Sequence, residues 1–214
     1  MKRAAPRLAG LHVLADDAPD WPWDPVEQAR AACVGGAAVL QLRAKRATDG
    51  EALRWAREIR KLTRDAGLLL VINDRFDLAL ASDADGVHLG QGDLPPGRLP
   101  VEVRERLLVG RSTHSAPQLR EARAEAPDYL AFGPVFGTTS KASEWSPRGL
   151  PALGDAVTLA QPIPLIAIGG VDVTGLGALR RSGAAGFAVI SAVAGAPDAT
   201  AAVRALCAGW AGGG

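Results

Sequence analysis

The stretch TDGEALRWAREIRKLTRDAGLLLVIN, residues 48–73, contains one complete helix–strand unit. Thr48 and Glu51 have the spacing of a capping box, and apolar residues then recur on one face of the predicted helix. Gly67 stands where a helix-terminating glycine is expected, directly before the apolar run Leu68–Asn73. Because this run is continuous rather than alternating, it predicts a parallel strand that is covered on both faces.

Seven further apolar runs of this kind are spread along the chain, with helical signals such as the Ser115–Gln118 capping box between them. The runs are Gly10–Ala15, Ala38–Arg43, Gly86–Gly90, Leu107–Ser112, Tyr129–Phe136, Pro164–Gly170 and Gly186–Val193. Eight strands that alternate with helices predict an α/β fold, a single (β/α)8 TIM barrel over residues 1–210, with a disordered tail at 211–214. A doubly wound open sheet is the alternative.

The charge balance limits the classes of function. The chain has 214 residues, with 24 Lys and Arg against 23 Asp and Glu, whereas nucleic-acid and membrane-surface binding both need a concentrated basic surface. The longest uncharged stretch, Ala156–Val171, contains two prolines and a glycine pair, so it predicts no membrane span. Two cysteines without metal-binding spacing are typical of a cytoplasmic protein. A homodimer is compatible with the sequence, but no motif gives the oligomeric state.

Polar residues stand where the predicted strands end. Because the carboxyl ends of all strands meet at one face of a parallel barrel, we expect these side chains to lie together and to form the active site. They are Gln41, Arg43, Lys45, Asn73, Asp74, His88, Gln91, Asp93, Ser112, His114, Thr138, Thr139, Ser140, Lys141 and Ser191. The last two strands also end in Gly169–Gly170 and, before Ser191, in Ile190.

The loops after the last two predicted strands favour a phosphate site. Gly169–Gly170 and Ile190–Ser191 stand where barrel enzymes often hold a phosphate with backbone N–H groups. Glycine permits close approach of the backbone to such a ligand. An ordinary strand-to-helix turn is the alternative interpretation.

Two carboxylates, Asp74 and Asp93, follow adjacent strands and suggest a second, larger anion site. An oxygen-rich pair suits Mg²⁺, which keeps several waters and bridges to substrate phosphates. Arg43, Lys45 and Lys141 would neutralise the remaining charge of a diphosphate. In the structural alternative, Asp74 caps the next helix or pairs with its neighbour, and Asp93 starts a turn.

The histidines occupy different predicted positions. His88 lies within a strand between apolar residues, so we interpret it as a buried, hydrogen-bonded barrel residue rather than a base. His114 lies just beyond strand five, where a titrating group reaches a substrate, and a rim position is an equal alternative. His12 is expected near the end of strand one. Trp145, in the loop after strand six, either covers a pocket or packs on the surface.

Seven short strings occur in a fixed order along residues 41–192. They are QLRAK (41–45), INDRFDLAL (72–80), DGVHLGQGDLP (85–95), GRSTH (110–114), FGPVFGTTSK (132–141), AIGG (167–170) and VISA (189–192). Together they resemble the family of thiamine phosphate synthases, whose superfamily also contains the thiazole tautomerase TenI.

The resemblance implies an Mg²⁺-dependent transferase of thiamine biosynthesis that joins hydroxymethylpyrimidine diphosphate to a thiazole phosphate and releases pyrophosphate. Carried over by position, the diphosphate would be bound by Gln41, Arg43, Lys45, Asn73 and Lys141. The same resemblance makes Asp74 and Asp93 the metal ligands. It assigns the thiazole-phosphate side to Thr138, Ser140, Gly170, Ile190 and Ser191.

The family's reaction begins with departure of the diphosphate, which leaves a resonance-stabilised pyrimidine methylene cation for the thiazole nitrogen. Such a step needs charge neutralised on the leaving group more than it needs acid–base chemistry. Arg43, Lys45 and Lys141 would therefore stabilise the leaving group. Ser112, beside the pyrimidine, would donate a hydrogen bond to the departing oxygen.

Three positions depart from the common family pattern: Gly137 in place of Pro, Ser140 in place of Thr, and His12 in place of Tyr. The string around His114 also resembles TenI, in which a histidine here serves proton transfer. The metal and diphosphate groups favour the synthase, because a tautomerase has no need of them. A tautomerase, or a barrel that binds thiazole or thiamine phosphate without turnover, is the alternative.

Overall fold

A computed structural model describes residues 8–137 and 145–212. Eight parallel strands pair in chain order, and the last pairs with the first, so the sheet is a closed barrel. The strands are β1 Gly10–Asp16, β2 Val39–Arg43, β3 Leu69–Asn73, β4 Gly86–Leu89, β5 Leu108–Thr113, β6 Tyr129–Phe132, β7 Leu165–Ile168 and β8 Gly186–Val189. The predicted (β/α)8 barrel is confirmed, and the alternative of an open sheet is wrong.

Helices follow the strands on the outside of the barrel. They are α1 Pro25–Gly35, α2 Asp49–Ala66, α3 Phe76–Ala81, α4 Val101–Arg106, α5 Ala116–Ala124, α6 Gly149–Ala160, α7 Leu176–Arg181, α8 Ser191–Ala194 and α9 Ala199–Gly212. Short 3-10 turns at Pro96–Arg98 and Val173–Gly175 precede α4 and α7. Helix α2 begins with the predicted capping box at Thr48 and Glu51 and is terminated after Ala66 by Gly67, whose φ is 75°.

The apolar residues form two layers. The larger cluster lies between the sheet and the helices, and includes Leu40, Leu70 and Phe187. The smaller cluster contains the residues of opposite parity on the same strands, such as Val39, Val71 and Tyr129, and fills the barrel. The inward positions change from apolar to polar toward the carboxyl ends of the strands, which places the candidate site there.

The amino-terminal end of the barrel is held by charged residues that bind neighbouring strands. Asp85, in the turn before β4, accepts hydrogen bonds from the backbone N–H of Leu70 at 2.9 Å and from Arg60 Nη1 of α2 at 2.7 Å. Asp128, before β6, accepts from the N–H of Val109 at 2.9 Å. These carboxylates fix the start of one strand against the next.

Two glycines lie opposite each other at the start of the seam that closes the barrel. Gly10 of β1 pairs with Gly186 of β8, and a Cβ atom on Gly186 would lie 2.2 Å from the carbonyl oxygen of Gly10. Only glycine permits this approach of the two backbones, because real Cβ atoms do not come so near another atom.

Three predicted boundaries are corrected. Strand β6 ends at Phe132 instead of Phe136, since the next segment contains Pro134, which lacks a backbone N–H for the ladder. Strand β8 ends at Val189, and the apolar residues from Ser191 onward form α8, because a continuous apolar run fits both kinds of element. The predicted tail at 211–214 is helical at its first two residues, where Arg180 Nη1 donates to the Ala211 carbonyl at 2.9 Å.

None of the helices in the described residues is long and apolar enough to cross a membrane.

Candidate active site

Polar residues from β2 and β3 come together at the carboxyl end of the barrel. Gln41 Nε2 donates to Asn73 Oδ1 at 2.7 Å across the adjacent strands. Lys45 Nζ forms an ion pair with Asp74 Oδ2 just beyond the strand ends. The two strands thus bring together four residues that were predicted to bind diphosphate or metal. With Arg43 and Asp93, these residues are called the β2–β4 cluster below.

The backbone of Asp74 turns its side chain toward this cluster. Its φ is 64°, in the left-handed region, and its N–H donates to the carbonyl of His88 at 2.7 Å. The structural alternatives for Asp74 are not realised. Helix α3 begins after Arg75 without a side-chain cap, and Arg75 pairs with Asp49 and Asp77 instead.

Asp93 reaches the same place from the loop after β4. Its Oδ2 accepts from the N–H of Gly90 at 2.7 Å. This contact closes the turn that precedes Asp93, whereas the structural alternative has Asp93 start the turn that follows it. Burial raises the pKa of the Asp93 carboxyl, the Gly90 N–H opposes that rise, and the neighbouring Asp74 carboxyl adds to it. The Asp74 carboxyl, which pairs with the Lys45 ammonium, is therefore a neighbour of the Asp93 carboxyl.

This donor set fits a hard divalent cation. Two carboxylates that crowd together are relieved by positive charge, and Mg²⁺ prefers one or two carboxylates together with waters and substrate phosphates. Across the described ranges 8–137 and 145–212 no group of three or more His, Cys, Asp or Glu side chains is assembled as a metal site. The candidate therefore consists of the Asp74–Asp93 pair, completed by ligands from outside the protein.

Ser112 lies at the end of β5 on top of a buried chain of polar side chains. Its Oγ lies 2.8 Å from His88 Nε2, and His88 Nδ1 lies 2.9 Å from the hydroxyl of Tyr129. Tyr129 is fully buried, and desolvation raises the pKa of its phenol, so the hydroxyl is neutral and able to donate. Gly110 leaves the room for this ring, because a Cβ there would lie 2.2 Å from Tyr129 Cζ.

A second part of the site is a pocket, called the glycine pocket below, on the side of β7 and β8. Gly169, Gly170, Ile190 and Ser191 line it together with Ser112. Gly170 has φ 65°, and a Cβ atom there would lie 2.2 Å from the carbonyl oxygen of Gly137. The predicted phosphate residues are thus brought together, and Ser112 belongs both to this pocket and to the His88 chain.

His114 also lines the glycine pocket, under the loop after β6. Its Nδ1 donates to the carbonyl oxygen of Gly133 at 2.7 Å, which orients the ring. The Trp145 ring stacks on the imidazole with centroids 5.2 Å apart, and the Arg148 guanidinium lies 4.9 Å from the Trp145 centroid. Trp145 therefore packs on a residue of the pocket wall while 38% of its own surface stays exposed, so it combines features of both interpretations.

A family model described as "Thiamine monophosphate synthase" matches residues 11–193. The chain belongs to the thiamine monophosphate synthase family. Among curated members, "Thiamine-phosphate synthase" of Anaeromyxobacter dehalogenans is 47% identical over 196 residues, covering 92% of this chain and 85% of the relative. The protein of the same name from Chloroflexus aurantiacus is 45% identical over 180 residues, covering 82% and 81%.

Solved structures agree with membership in the thiamine monophosphate synthase family. "Thiamine phosphate pyrophosphorylase from Pyrococcus furiosus" superposes with a TM-score of 0.87 at 34% identity, covering 98% of this chain and 99% of that one. The barrel of 3-hexulose-6-phosphate synthase matches with a TM-score of 0.70 at 20% identity, covering 94% and 99%. At that identity the second likeness shows the fold alone.

One expected position differs from the prediction. His12, at the place where the family commonly has Tyr, lies in the middle of β1 and not near its end. Its Nε2 donates to the Leu8 carbonyl at 2.7 Å, toward the amino-terminal end, and its ring packs edge-on against Tyr129 at 5.7 Å. Strand β1 is longer than predicted because Asp16 pairs in register with Arg43.

Three residues that sequence reasoning assigned to the family's site, Thr138, Ser140 and Lys141, lie outside the described residues. Sequence reasoning in turn missed Asp16 and Tyr129, which contact Arg43 and His88. Asp16 directly follows a predicted strand, as the other polar residues do, and that signal was available. Tyr129 begins a strand, and nothing local distinguishes it from an apolar core residue.

A groove of about 700 Å³ lies at the opposite end of the barrel from these residues. Its lining includes Arg60, Asp85 and Asp128, whose contacts fix the strand starts. In the thiamine monophosphate synthase family, as in barrel enzymes generally, chemistry belongs at the carboxyl ends of the strands. We therefore interpret this groove as structural.

Proposed function

We propose that the protein is an Mg²⁺-dependent thiamine phosphate synthase that joins hydroxymethylpyrimidine diphosphate to a thiazole phosphate and releases pyrophosphate. The observation that supports the proposal is that two groups of residues lie at the carboxyl end of the barrel: the β2–β4 cluster, and the glycine pocket lined in part by Ser112. The β2–β4 cluster would offer cations and a carboxylate pair to a diphosphate, and the glycine pocket would offer backbone N–H groups to a phosphate.

The first chemical step breaks the bond between the pyrimidine methylene carbon and the diphosphate oxygen. Arg43 and Lys45 would neutralise the charge that develops on the leaving diphosphate, and Gln41 and Asn73 would orient it. Asp74 and Asp93 would hold Mg²⁺, which supplies further positive charge to the diphosphate when it is bound. Ser112 would donate a hydrogen bond to the departing oxygen. Lys141 would add a third cation.

The second step forms the bond between the methylene carbon and the thiazole nitrogen. The glycine pocket would hold the thiazole phosphate through Gly170, Ile190 and Ser191, with Thr138 and Ser140 from the loop after β6. This binding places the nitrogen beside the cation formed in the first step, and such positioning is the main contribution that a protein makes to capture of a reactive cation.

The first experiment is a pyrophosphate-release assay with both substrates, with and without Mg²⁺, in which thiamine phosphate is identified by mass. Product that depends on Mg²⁺ is the expected result. Absence of product from folded protein, together with interconversion of thiazole tautomers followed by NMR, would instead assign the tautomerase reaction. Tight thiazole-phosphate binding without either turnover would assign a binding protein.

The metal assignment is tested with Asp93→Asn. Because the amide cannot supply a second carboxylate to the pair, we expect kcat/KM to fall about 100-fold or more. Asp49→Asn is the matched control, since Asp49 is an exposed carboxylate that pairs with Arg75 on the same side of the barrel. Equal activity of the two variants would contradict the assignment of Asp93 as a metal ligand.

A further inference from the structure

Arg43 is held in place by a carboxylate that no family motif led us to consider. Asp16, the last residue of β1, pairs in register with Arg43, the last residue of β2, and its Oδ2 accepts a hydrogen bond from Arg43 Nη1. The Asp16 side chain is 2% exposed and the Arg43 side chain 19%. The anchor is thus deeper in the protein than the guanidinium that it holds.

Asp16 is itself fixed by several hydrogen bonds. Its Oδ1 accepts from Trp21 Nε1 at 2.8 Å and from the N–H of Ala18 at 3.1 Å. Its backbone N–H donates to Gln28 Oε1 at 2.9 Å, and Gln28 Nε2 donates back to the Asp16 carbonyl at 2.9 Å. Gln28 is completely buried. Such a carboxylate has little freedom to turn away from Arg43.

The adjacent residue, Asp17, binds the backbone of Lys45, the other cationic residue of the β2–β4 cluster. Asp17 Oδ1 accepts from the N–H of Lys45 at 3.0 Å, and Oδ2 accepts from the N–H groups of Arg46 at 2.7 Å and Ala47 at 2.8 Å. The loop after β2 is therefore wrapped around one carboxylate. Two consecutive residues, at the end of β1 and in its following loop, thus hold the Arg43 side chain and the Lys45 backbone.

We propose that the Asp16–Asp17 pair is the positioning element of the diphosphate site, with Asp16 setting the plane of the Arg43 guanidinium. A guanidinium has five N–H donors in one rigid plane, so a single fixed contact determines the direction of the others. Because the Asp16 carboxylate belongs to the protein and not to the substrate, it orients the Arg43 donors before the diphosphate binds. This inference rests on the proposed role of Arg43 in the synthase reaction.

The test is Asp16→Asn, which keeps the oxygen that accepts from Trp21 and replaces the oxygen that accepts from Arg43. We expect the KM for the pyrimidine diphosphate to rise about tenfold or more while the KM for the thiazole phosphate stays within about twofold. Asp20→Asn, an exposed carboxylate in the same loop, is the matched control. A melting curve for each variant confirms folding.

A double-variant cycle separates positioning from a general structural effect. If Asp16 acts through Arg43, Asp16→Asn adds little to the KM change already caused by Arg43→Ala. Additive effects, or a change in melting temperature without a selective KM change, would overturn the inference. Trp21→Phe removes one hydrogen bond to Asp16 but keeps the Asp16–Arg43 ion pair, so we expect a smaller rise in the KM for the pyrimidine diphosphate. This variant replaces Asp16→Asn in the test if Asp16→Asn does not fold.

Binding of inorganic pyrophosphate with Mg²⁺, measured by calorimetry, keeps the inference separate from the proposed reaction. We expect Asp16→Asn and Arg43→Ala to weaken this binding to a similar extent. If Arg43→Ala binds pyrophosphate as the unaltered protein does, the inference is overturned even where the synthase reaction is confirmed. If no thiamine phosphate forms, the reaction fails, and equal weakening in both variants still supports the positioning role.

Discussion

Ser112 depends for its orientation on two buried residues beneath it. His88 contacts its Oγ through Nε2, and the hydroxyl of Tyr129 contacts the other ring nitrogen. When the neutral phenol donates to Nδ1, the imidazole proton lies on Nε2 and points at Ser112. The serine hydroxyl hydrogen is then directed away from His88 and is available for the leaving oxygen.

Tyr129→Phe tests this chain. The variant keeps the ring that packs against His12 but removes the hydroxyl that selects the His88 tautomer, so we expect kcat to fall about tenfold with KM values within about twofold. Thr113→Val is the matched control, because it also removes a buried hydroxyl, in this case one that donates from β5 to the Ala131 carbonyl of β6 at 2.8 Å. The measurement is steady-state kinetics. Equal losses of kcat in both variants would contradict the role of the Tyr129–His88–Ser112 hydrogen bonds.

His12 gives the stability of the protein a dependence on pH. Burial lowers the pKa of His12 to about 4, against an ordinary value of 6.5. The unfolded chain therefore binds more protons than the folded one between these values, so stability is complete above about pH 6.5 and falls as the pH drops toward 4. The loss for this residue is on the order of 3 kcal/mol.

His12→Gln is expected to flatten this dependence. Chemical denaturation at pH 7.5 and pH 5 should give a smaller difference in unfolding free energy for the variant than for the unaltered protein, because the glutamine does not titrate. The comparison between proteins removes the contribution of all other groups. An identical difference in unfolding free energy in both proteins would show that protonation of His12 does not destabilise the folded barrel.

At the scale of the elements, a buried ion pair helps to join the starts of neighbouring strands. Asp85 connects the turn before β4 to β3 and to α2, and its side chain is 8% exposed beside Arg60 at 14%. Asp85→Ala leaves the Arg60 charge buried without this partner, so we expect a loss of about 3 kcal/mol in unfolding free energy.

The control for Asp85→Ala is Asp83→Asn in the same turn. Asp83 pairs with Arg64 in solvent, at 72% and 62% exposure, and such pairs contribute about 0.5 kcal/mol or less. Asparagine tolerates the left-handed backbone of Asp83, φ 55°, so the control adds no strain. Denaturant melts that show similar losses for the two variants would contradict the assigned role of Asp85.

The elements themselves were largely predictable, and their contacts were not. The capping box at Thr48 and the glycine at Gly67 mark α2 within one residue, because caps are local chemistry. The same kind of signal at Asp24 and Glu27 marks α1, and it was overlooked. The partnership of Asp16 with Arg43 depends on the register between β1 and β2, and register is set by the closed barrel as a whole.

At the scale of the whole molecule, ligand binding should be visible as stability. If the Asp74–Asp93 pair holds Mg²⁺ with a diphosphate, saturation at about 100 times Kd adds about 2.7 kcal/mol to the folded state. For a barrel of this size that corresponds to a rise of about 5 to 10 °C in melting temperature. The measurement is a thermal melt with Mg²⁺ and pyrophosphate together.

Two controls make this measurement specific. Pyrophosphate with EDTA, and the Asp93→Asn variant with the complete mixture, should each show a much smaller rise. A rise that is unchanged in both would mean that pyrophosphate binds without the carboxylate pair. The measurement does not require turnover, so it tests the site independently of the reaction.

The seam between β1 and β8 also has a consequence for the order of folding. Gly10 and Gly186 are brought together from nearly opposite ends of the chain, so the ladder closes only after β8 has left the ribosome. Until then β1 and β7 are both open edges with apolar faces, which favour pairing with other chains. During its synthesis this barrel is therefore exposed to aggregation for almost the whole length of translation, and a premature stop before residue 186 would leave both edges unprotected.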